Sequence, residues 1–300
     1  MYLSEPDVAK VLTYERLIPC MEQALAALFN GEVIMPVRNL ITVEENLRFM
    51  AVMPAVMANG MGAKLVCFYP KNAGTAHHTH TASIALFDTE TGEPLAFMDG
   101  RLITEMRTAA VSAAVTKQAA TQGSGILALL GSGTQAHAHV AALRHVMDIR
   151  EIRVWSRNAE HAKSFAAQYG ARALSAEEAV RGADVIVVAT SSHDAVLKGA
   201  WLKPGAHVNT VGSVNPKWRE LDDDAMHNTL IADSSEAVLK ESGDVILSKA
   251  AIFAEAGEIF AGKKKVDRSQ TTIFKSVGLA VEDIASARLV YDLLQRGGQV

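Results

Sequence analysis

The feature that most constrains this chain is the apolar run Ile126-Leu127-Ala128-Leu129-Leu130, which passes directly into Gly131-Ser132-Gly133-Thr134-Gln135-Ala136. It reads as a buried strand, a tight turn and the start of a helix. Gly131 can take the backbone angles such a turn demands, and Gly133 has no side chain to shield the first helical N–H groups from an anion. Ala136 stands where a third small residue lets helix and strand pack closely, and Val140, Leu143 and Met147 extend the same apolar helix face. Strand before and helix after are the context in which a G-x-G-x-x-A turn holds the pyrophosphate of a dinucleotide.

The next strand bears on which dinucleotide. An NAD enzyme usually places an Asp or Glu about twenty residues after the turn, where it accepts hydrogen bonds from the ribose 2′-OH. Here Glu151-Ile152-Arg153-Val154-Trp155 ends in Ser156, Arg157 and Asn158, with no acid. A guanidinium flanked by small polar groups suits a 2′-phosphate, which a carboxylate would repel. NADPH is therefore favoured, with NAD(H) possible. Further along, Thr190-Ser191-Ser192 and Gly212-Ser213-Val214 each follow a strand, at the carboxyl ends where such sheets bind ligands. Thr190, Ser191, Gly212 and Ser213 are candidate ribose and nicotinamide contacts, although Ser and Gly are common in any loop.

The organisation changes near Gln122-Gly123-Ser124-Gly125. From there to about Asp233, short apolar strands alternate with helices: Ile126 to Leu130, Ile152 to Trp155, Ala171 to Leu174, Asp184 to Thr190, His207 to Val211 and Leu230 to Ala232. Continuous apolar runs indicate strands covered on both faces, hence a doubly wound parallel sheet of the Rossmann type. Upstream, Leu47 to Pro54, Ala63 to Tyr69, Ser83 to Phe87 and Pro94 to Met98 read as strands without intervening helices, the last two joined by a turn over Asp88 to Glu93. That half is expected to be α+β with an antiparallel sheet, preceded by a helix from about Pro6 to Phe29 and followed by one from about Thr104 to Ala120. After Ser269 come Thr272-Ile273-Phe274-Lys275 and a helix through Val281, Ile284, Ala285, Arg288 and Leu289. The expected α/β chain thus has a substrate and dimerisation domain over 1–119, completed by 275–300, and a cofactor domain over 120–274.

A formal net charge of -4, with no basic run longer than Lys263-Lys264-Lys265, argues against a nucleic-acid partner. Cys20 and Cys67 are isolated, which suits a reducing compartment. Neither the apolar core of a signal peptide nor a membrane-length apolar run is present, so a cytoplasmic location without a membrane partner is expected.

Three cations sit where water is scarce. Arg107 lies in a helix otherwise lined by Ala and Val, Lys64 lies inside an apolar strand, and Arg38 follows Met35-Pro36-Val37. An unpaired cation is costly in such settings. The three either converge on a substrate carboxylate, with bidentate arginine fixing its orientation, or each pairs with an internal acid or reaches out to water. His77, His78 and His80 raise the question of a metal, but no nearby Cys, Asp or Glu completes a ligand set, so none is expected.

Several longer strings go further: Leu95-Ala96-Phe97-Met98-Asp99-Gly100, Arg107-Thr108-Ala109-Ala110-Val111-Ser112-Ala113, Lys203 to Asn209, Trp218-Arg219-Glu220-Leu221-Asp222-Asp223, Leu239-Lys240-Glu241-Ser242-Gly243-Asp244 and Thr272 to Ser276. With the glycine turn, they resemble the ornithine cyclodeaminase and mu-crystallin family over nearly the whole chain, most closely its mu-crystallin branch. The resemblance implies a homodimer and hydride chemistry at a C=N bond next to a carboxylate. It matches Arg38, Lys64 and Arg107 to the groups that hold that carboxylate, Asp233 to a proton-transfer aspartate and His80 to a substrate-side histidine; Thr108 is counted with the cofactor contacts. The reaction it implies is reduction of a cyclic ketimine such as pyrroline-2-carboxylate or piperideine-2-carboxylate to the L-amino acid. Ornithine cyclodeamination with NAD, an alanine or N-alkyl amino acid dehydrogenase activity, and non-catalytic NADPH and small-ligand binding remain the alternatives.

Overall fold

The computed structural model describes residues 1–45 and 47–297. In chain order its elements begin with β1 (Tyr2–Leu3), α1 (Glu5–Val11), α2 (Tyr14–Phe29), β2 (Asn39–Glu44), β3 (Arg48–Met57), β4 (Gly60–Phe68), β5 (His80–Phe87), β6 (Pro94–Asp99) and α3 (Arg101–Ala119). They continue with β7 (Ile126–Leu130), α4 (Thr134–Leu143), β8 (Glu151–Trp155), α5 (Ala159–Tyr169), β9 (Arg172–Ala173), α6 (Ala176–Val180), β10 (Val185–Val188), β11 (His207–Thr210) and α7 (Asp223–Met226). Last come β12 (Thr229–Ala232), α8 (Ser235–Glu241), α9 (Gly243–Ser248), β13 (Ile252–Glu255), α10 (Ala256–Phe260), β14 (Thr272–Lys275) and α11 (Ala280–Gly297). Two compact units result: Met1–Arg107 with the chain from Leu279 onward, and Thr108–Gly278. The division falls within α3; of the expected segment 275–300, residues 298–300 lie outside the described residues.

In the first unit, β2 to β6 form an antiparallel meander, and the two-residue β1 adds to β6 in parallel, so the sheet is mixed, with order β1-β6-β5-β4-β3-β2. β1 is too short for an alternation to be read from its residues. Helix α11 packs across β3, β4 and β5 and against α2. Beneath it are Ala51, Met53, Ala55, Ile84 and Leu86, all buried, while Leu65 and Phe97, which point to the opposite face, are 42% and 51% exposed. The single N-terminal helix expected over Pro6 to Phe29 is two. Leu12 and Thr13 take extended angles, and the Thr13 carbonyl accepts from the Arg16 and Leu17 N–H groups as the N-cap of α2.

The second unit is an eight-stranded, wholly parallel sheet of order β13-β12-β14-β11-β10-β7-β8-β9. From β7 the chain moves one way to β8 and β9, then returns to place β10 on β7's other side, which makes the edge between β7 and β10 the topological switch point. β10, β11 and β14 are buried at every position, as their continuous runs require. The buried polar groups among them form a chain. His207 Nε2 bonds Asn209 Oδ1 (3.3 Å) and Nδ1 bonds the Thr272 hydroxyl (2.8 Å); Asn209 Nδ2 donates to Thr116 Oγ1 (3.0 Å), which donates to the Ser112 carbonyl (2.7 Å). His139 Nδ1 donates to the Gln135 carbonyl (2.7 Å), leaving Nε2 to accept from the Ser112 hydroxyl (2.9 Å). Both histidines are therefore neutral, and burial pushes each down to about 4.

Candidate functional site

The glycine turn sits at the switch point. Gly131 has φ +110°, its N–H donates to the Trp155 carbonyl (2.9 Å), and a Cβ there would lie 2.3 Å from the Ala189 carbonyl oxygen. Only glycine fits between β8 and the end of β10. Gly133 is the N-cap of α4; no side chain caps the helix, and a Cβ at Gly133 would meet nothing within 4 Å. The first-turn amides are thus open to an anion. Ser132 is half-buried, Thr134 exposed, and Ala136 buried against the sheet. Gln135 Oε1 and Ser213 Oγ are buried without a partner among the described residues, which a bound ligand with donor and acceptor groups would supply. These residues fit a dinucleotide.

After β8, Arg157 is exposed and no described residue pairs with it. Asn158 Oδ1 is the N-cap acceptor for the Glu160 N–H of α5 (3.0 Å), which leaves its amide N–H groups to donate to a ligand. Ser156 is half-buried and Ser191 exposed, whereas Thr108 is buried in α3. The loops after β10 and β11 are tied together by Glu220. Its carboxylate accepts from the Thr190 N–H and hydroxyl (2.7 Å each), the Thr210 hydroxyl (3.1 Å) and the Gly212 and Ser213 N–H groups (2.8 and 3.1 Å). Below it, Asp244 accepts from the Glu220 and Leu221 N–H groups and forms a fully buried ion pair with Lys275 (2.9 Å), whose ammonium also donates to the Ser213 carbonyl. Asp233, at the end of β12, accepts from Ser276 Oγ and the Val277 and Gly278 N–H groups at Oδ2 and from the Ser234 N–H at Oδ1. Burial raises its carboxyl above the usual range against these donors, and Oδ1 keeps a lone pair.

In the first unit the structure brings together Lys64, Arg107, Arg38 and His80. Lys64 is 1% exposed and pairs with Asp283 Oδ2 at 2.6 Å. Arg107 donates through Nε to Asp283 Oδ1 (3.0 Å) and through Nη1 to Glu282 Oε2 (2.6 Å). Both cations thus have the internal acids that their surroundings demand, both supplied by α11, and the acids hold Arg107 above its usual value against burial. Arg38 reaches Met53 Sδ at 4.0 Å, and Met53 is the cross-strand neighbour of Lys64. Burial brings Lys64 down to about 8, Asp283 opposing and the Arg107 and Arg38 charges adding to the fall. His80 is exposed as a residue, but its ring lies tilted against Phe68 with the centroids 4.6 Å apart; burial of the imidazole, and then the Lys64 charge, lower its pKa. Among the described residues no group of His, Cys, Asp and Glu is placed to hold a metal ion, and no helix is long and apolar enough to cross a membrane.

The sequence model of the ornithine cyclodeaminase/mu-crystallin family matches residues 1–298. The chain belongs to that family. It is 47% identical to the ketimine reductase mu-crystallin of Mus musculus over 290 residues, covering 94% of this chain and 93% of the relative. Among family structures, the Thermococcus litoralis Delta(1)-pyrroline-2-carboxylate reductase in complex with NADH and L-proline superposes with a TM-score of 0.94 at 36% identity, over 99% of this chain and 98% of that one. An archaeal alanine dehydrogenase dimer with bound NAD also gives 0.94, at 29% identity, over 99% and 97% of the two chains.

In this family member, the acids Glu282 and Asp283 escape a reading of the residues alone, as does the set Glu220, Asp244 and Lys275. The available signals were an acid pair between Val281 and Ile284 in a helix read for its apolar face, and a lysine closing the apolar strand Thr272-Ile273-Phe274. A buried lysine needs a carboxylate, and a pair of buried acids needs cations.

Proposed function

We propose that this chain uses NADPH to reduce the C=N bond of a cyclic imine α-carboxylate, such as pyrroline-2-carboxylate or piperideine-2-carboxylate, to the L-amino acid. One observation carries the reading: in the first unit, Lys64 and Arg107 share the carboxylates Asp283 and Glu282, with the Arg38 charge close enough to act on Lys64, beside a His80 held below its ordinary pKa. The convergence of these cations suits a substrate carboxylate, and Arg107 Nη2, with no partner among the described residues, is placed to donate to it. Names of relatives, a ketimine reductase and a pyrroline-2-carboxylate reductase, agree with this class of substrate.

Bound in the second unit, the nicotinamide supplies the hydride. The chain's own groups do the rest. Within the first unit, Arg107 and Arg38 orient the carboxylate and Lys64 adds a positive charge that stabilises it; Asp233 carries the proton-transfer role to which the family resemblance matches it, keeping the imine protonated and its carbon electrophilic. NADPH is preferred because Arg157 lies exposed and unpaired beside Ser156, with no acid at the end of β8 to repel a 2′-phosphate. The exposed Leu65 and Phe97, together with Ile41 of β2, support a homodimer through the face of the first unit's sheet that α11 leaves open. The isolated cysteines Cys20 and Cys67 support a reducing, cytoplasmic setting.

The test is oxidation of NADPH and NADH with each cyclic imine, followed by identification of the product. Reduction to the cyclic amino acid is expected, with Arg157→Ala weakening NADPH use by roughly tenfold or more and NADH use little. Release of proline and ammonia from ornithine plus NAD, without imine reduction, would overturn the reading, as would turnover of pyruvate with ammonia alone.

A further inference from the structure

The acid pair of α11 has no part in the reaction as written above, yet it is placed where the cations meet. Asp283 touches Lys64 through Oδ2 at 2.6 Å and Arg107 through Oδ1 at 3.0 Å, so a single carboxylate joins side chains from β4 and α3. All of these groups are buried, Asp283 completely. Glu282 pairs with Arg107 Nη1 through Oε2 at 2.6 Å.

We propose that Asp283 is the positioning residue of the carboxylate-binding site: by bridging Lys64 and Arg107 it keeps the Lys64 ammonium charged and fixes both cations toward the substrate. This rests on the reading of Lys64 and Arg107 as carboxylate-binding groups. The groups that face Lys64 are Asp283 from α11, Arg107 from α3, Arg38 from the segment before β2 and His80 from β5. Asp283 is the negative one. Without it, an ammonium almost sealed from water would face two guanidinium groups and lose the carboxylate that touches it, and losing its proton would relieve both the burial and the repulsion. With the acid in place, Lys64 titrates at about 8 and so carries its charge at neutral pH. Glu282 then acts differently from its neighbour: it orients the Arg107 guanidinium without setting the charge of Lys64.

Binding of pyrrole-2-carboxylate, a planar carboxylate with no imine to titrate, separates these roles when followed by calorimetry on the full-length protein from pH 6 to 10. In the wild type, affinity should fall as pH rises through about 8, where Lys64 loses its proton. Asp283→Asn should move that midpoint to about 7 or below and weaken binding at pH 8 roughly tenfold. Asp283→Glu, which keeps the charge, should restore the wild-type midpoint, and Glu282→Gln should weaken binding without moving it. Should the amide variant not fold, Asp283→Ser carries the same expectation. An unchanged midpoint in the uncharged variants overturns the role of Asp283 while leaving the carboxylate site intact. A wild-type affinity that is flat across pH 8 and indifferent to Lys64→Gln overturns the carboxylate site, and this proposal with it.

Discussion

Lys64 and Lys275 show one physical problem solved twice. Each is an ammonium carried into the interior by a strand, and each is answered by a carboxylate from a helix far along the chain: Asp283 for Lys64, Asp244 for Lys275. Removing such a partner leaves an uncompensated buried charge. Asp244→Ala should therefore destabilise the protein by about 3–5 kcal/mol, measured by urea unfolding at neutral pH, because it strands Lys275 together with the Glu220 and Leu221 N–H groups. A loss under about 1 kcal/mol would mean that water solvates Lys275. The cations could be suspected from their apolar neighbours, as Lys64 and Arg107 were. Their partners could not be, since Asp283 lies 176 residues from Arg107 and nothing local ties the two together.

The central strands of the second unit are plain in the sequence because both their faces are buried, so apolar residues run on without interruption in β7 and β10. Edge strands behave differently. β2 is exposed at nearly every position and β13 at the sheet's end is only partly covered, so neither carries a burial pattern from which a period could be read. Helix ends depend similarly on local chemistry and on surroundings. Thr13 interrupts the first helical run where apolar spacing alone predicted continuity. Lys249 closes α9 with φ 54°, the one non-glycine residue at positive φ among those described. Lys249→Gly should relieve that backbone and stabilise the protein by about 0.5–1 kcal/mol, seen as a higher midpoint in thermal unfolding. A lower midpoint would show that the Lys249 side chain contributes more than its backbone costs.

For the molecule as a whole, the buried chain from His207 through Asn209 and Thr116 to Ser112 and His139 makes stability depend on acid. Both histidines stay neutral when folded down to about 4 and take up a proton near 6.5 when unfolded. Between those values the unfolded state binds more protons, so stability is full above about 6.5 and is lost as the pH falls toward 4, by roughly 3 kcal/mol per histidine at most. Chemical unfolding at pH 7 and pH 4.5 measures this; equal stabilities would show that the imidazoles are not held neutral. What the amino-acid sequence determined by itself was the strand, glycine turn and helix at Ile126 to Ala136, the alternation that follows it, and which cations sit among apolar residues. These are consequences of backbone torsion and of side-chain period, properties of neighbouring residues. Only the tertiary structure decided that α11 brings Glu282 and Asp283 to Arg107 and Lys64, and that Glu220 closes the loops of β10 and β11 over Asp244 and Lys275. Such pairs are chosen by packing: a buried charge requires a partner, but which distant residue meets it depends on how the elements are stacked.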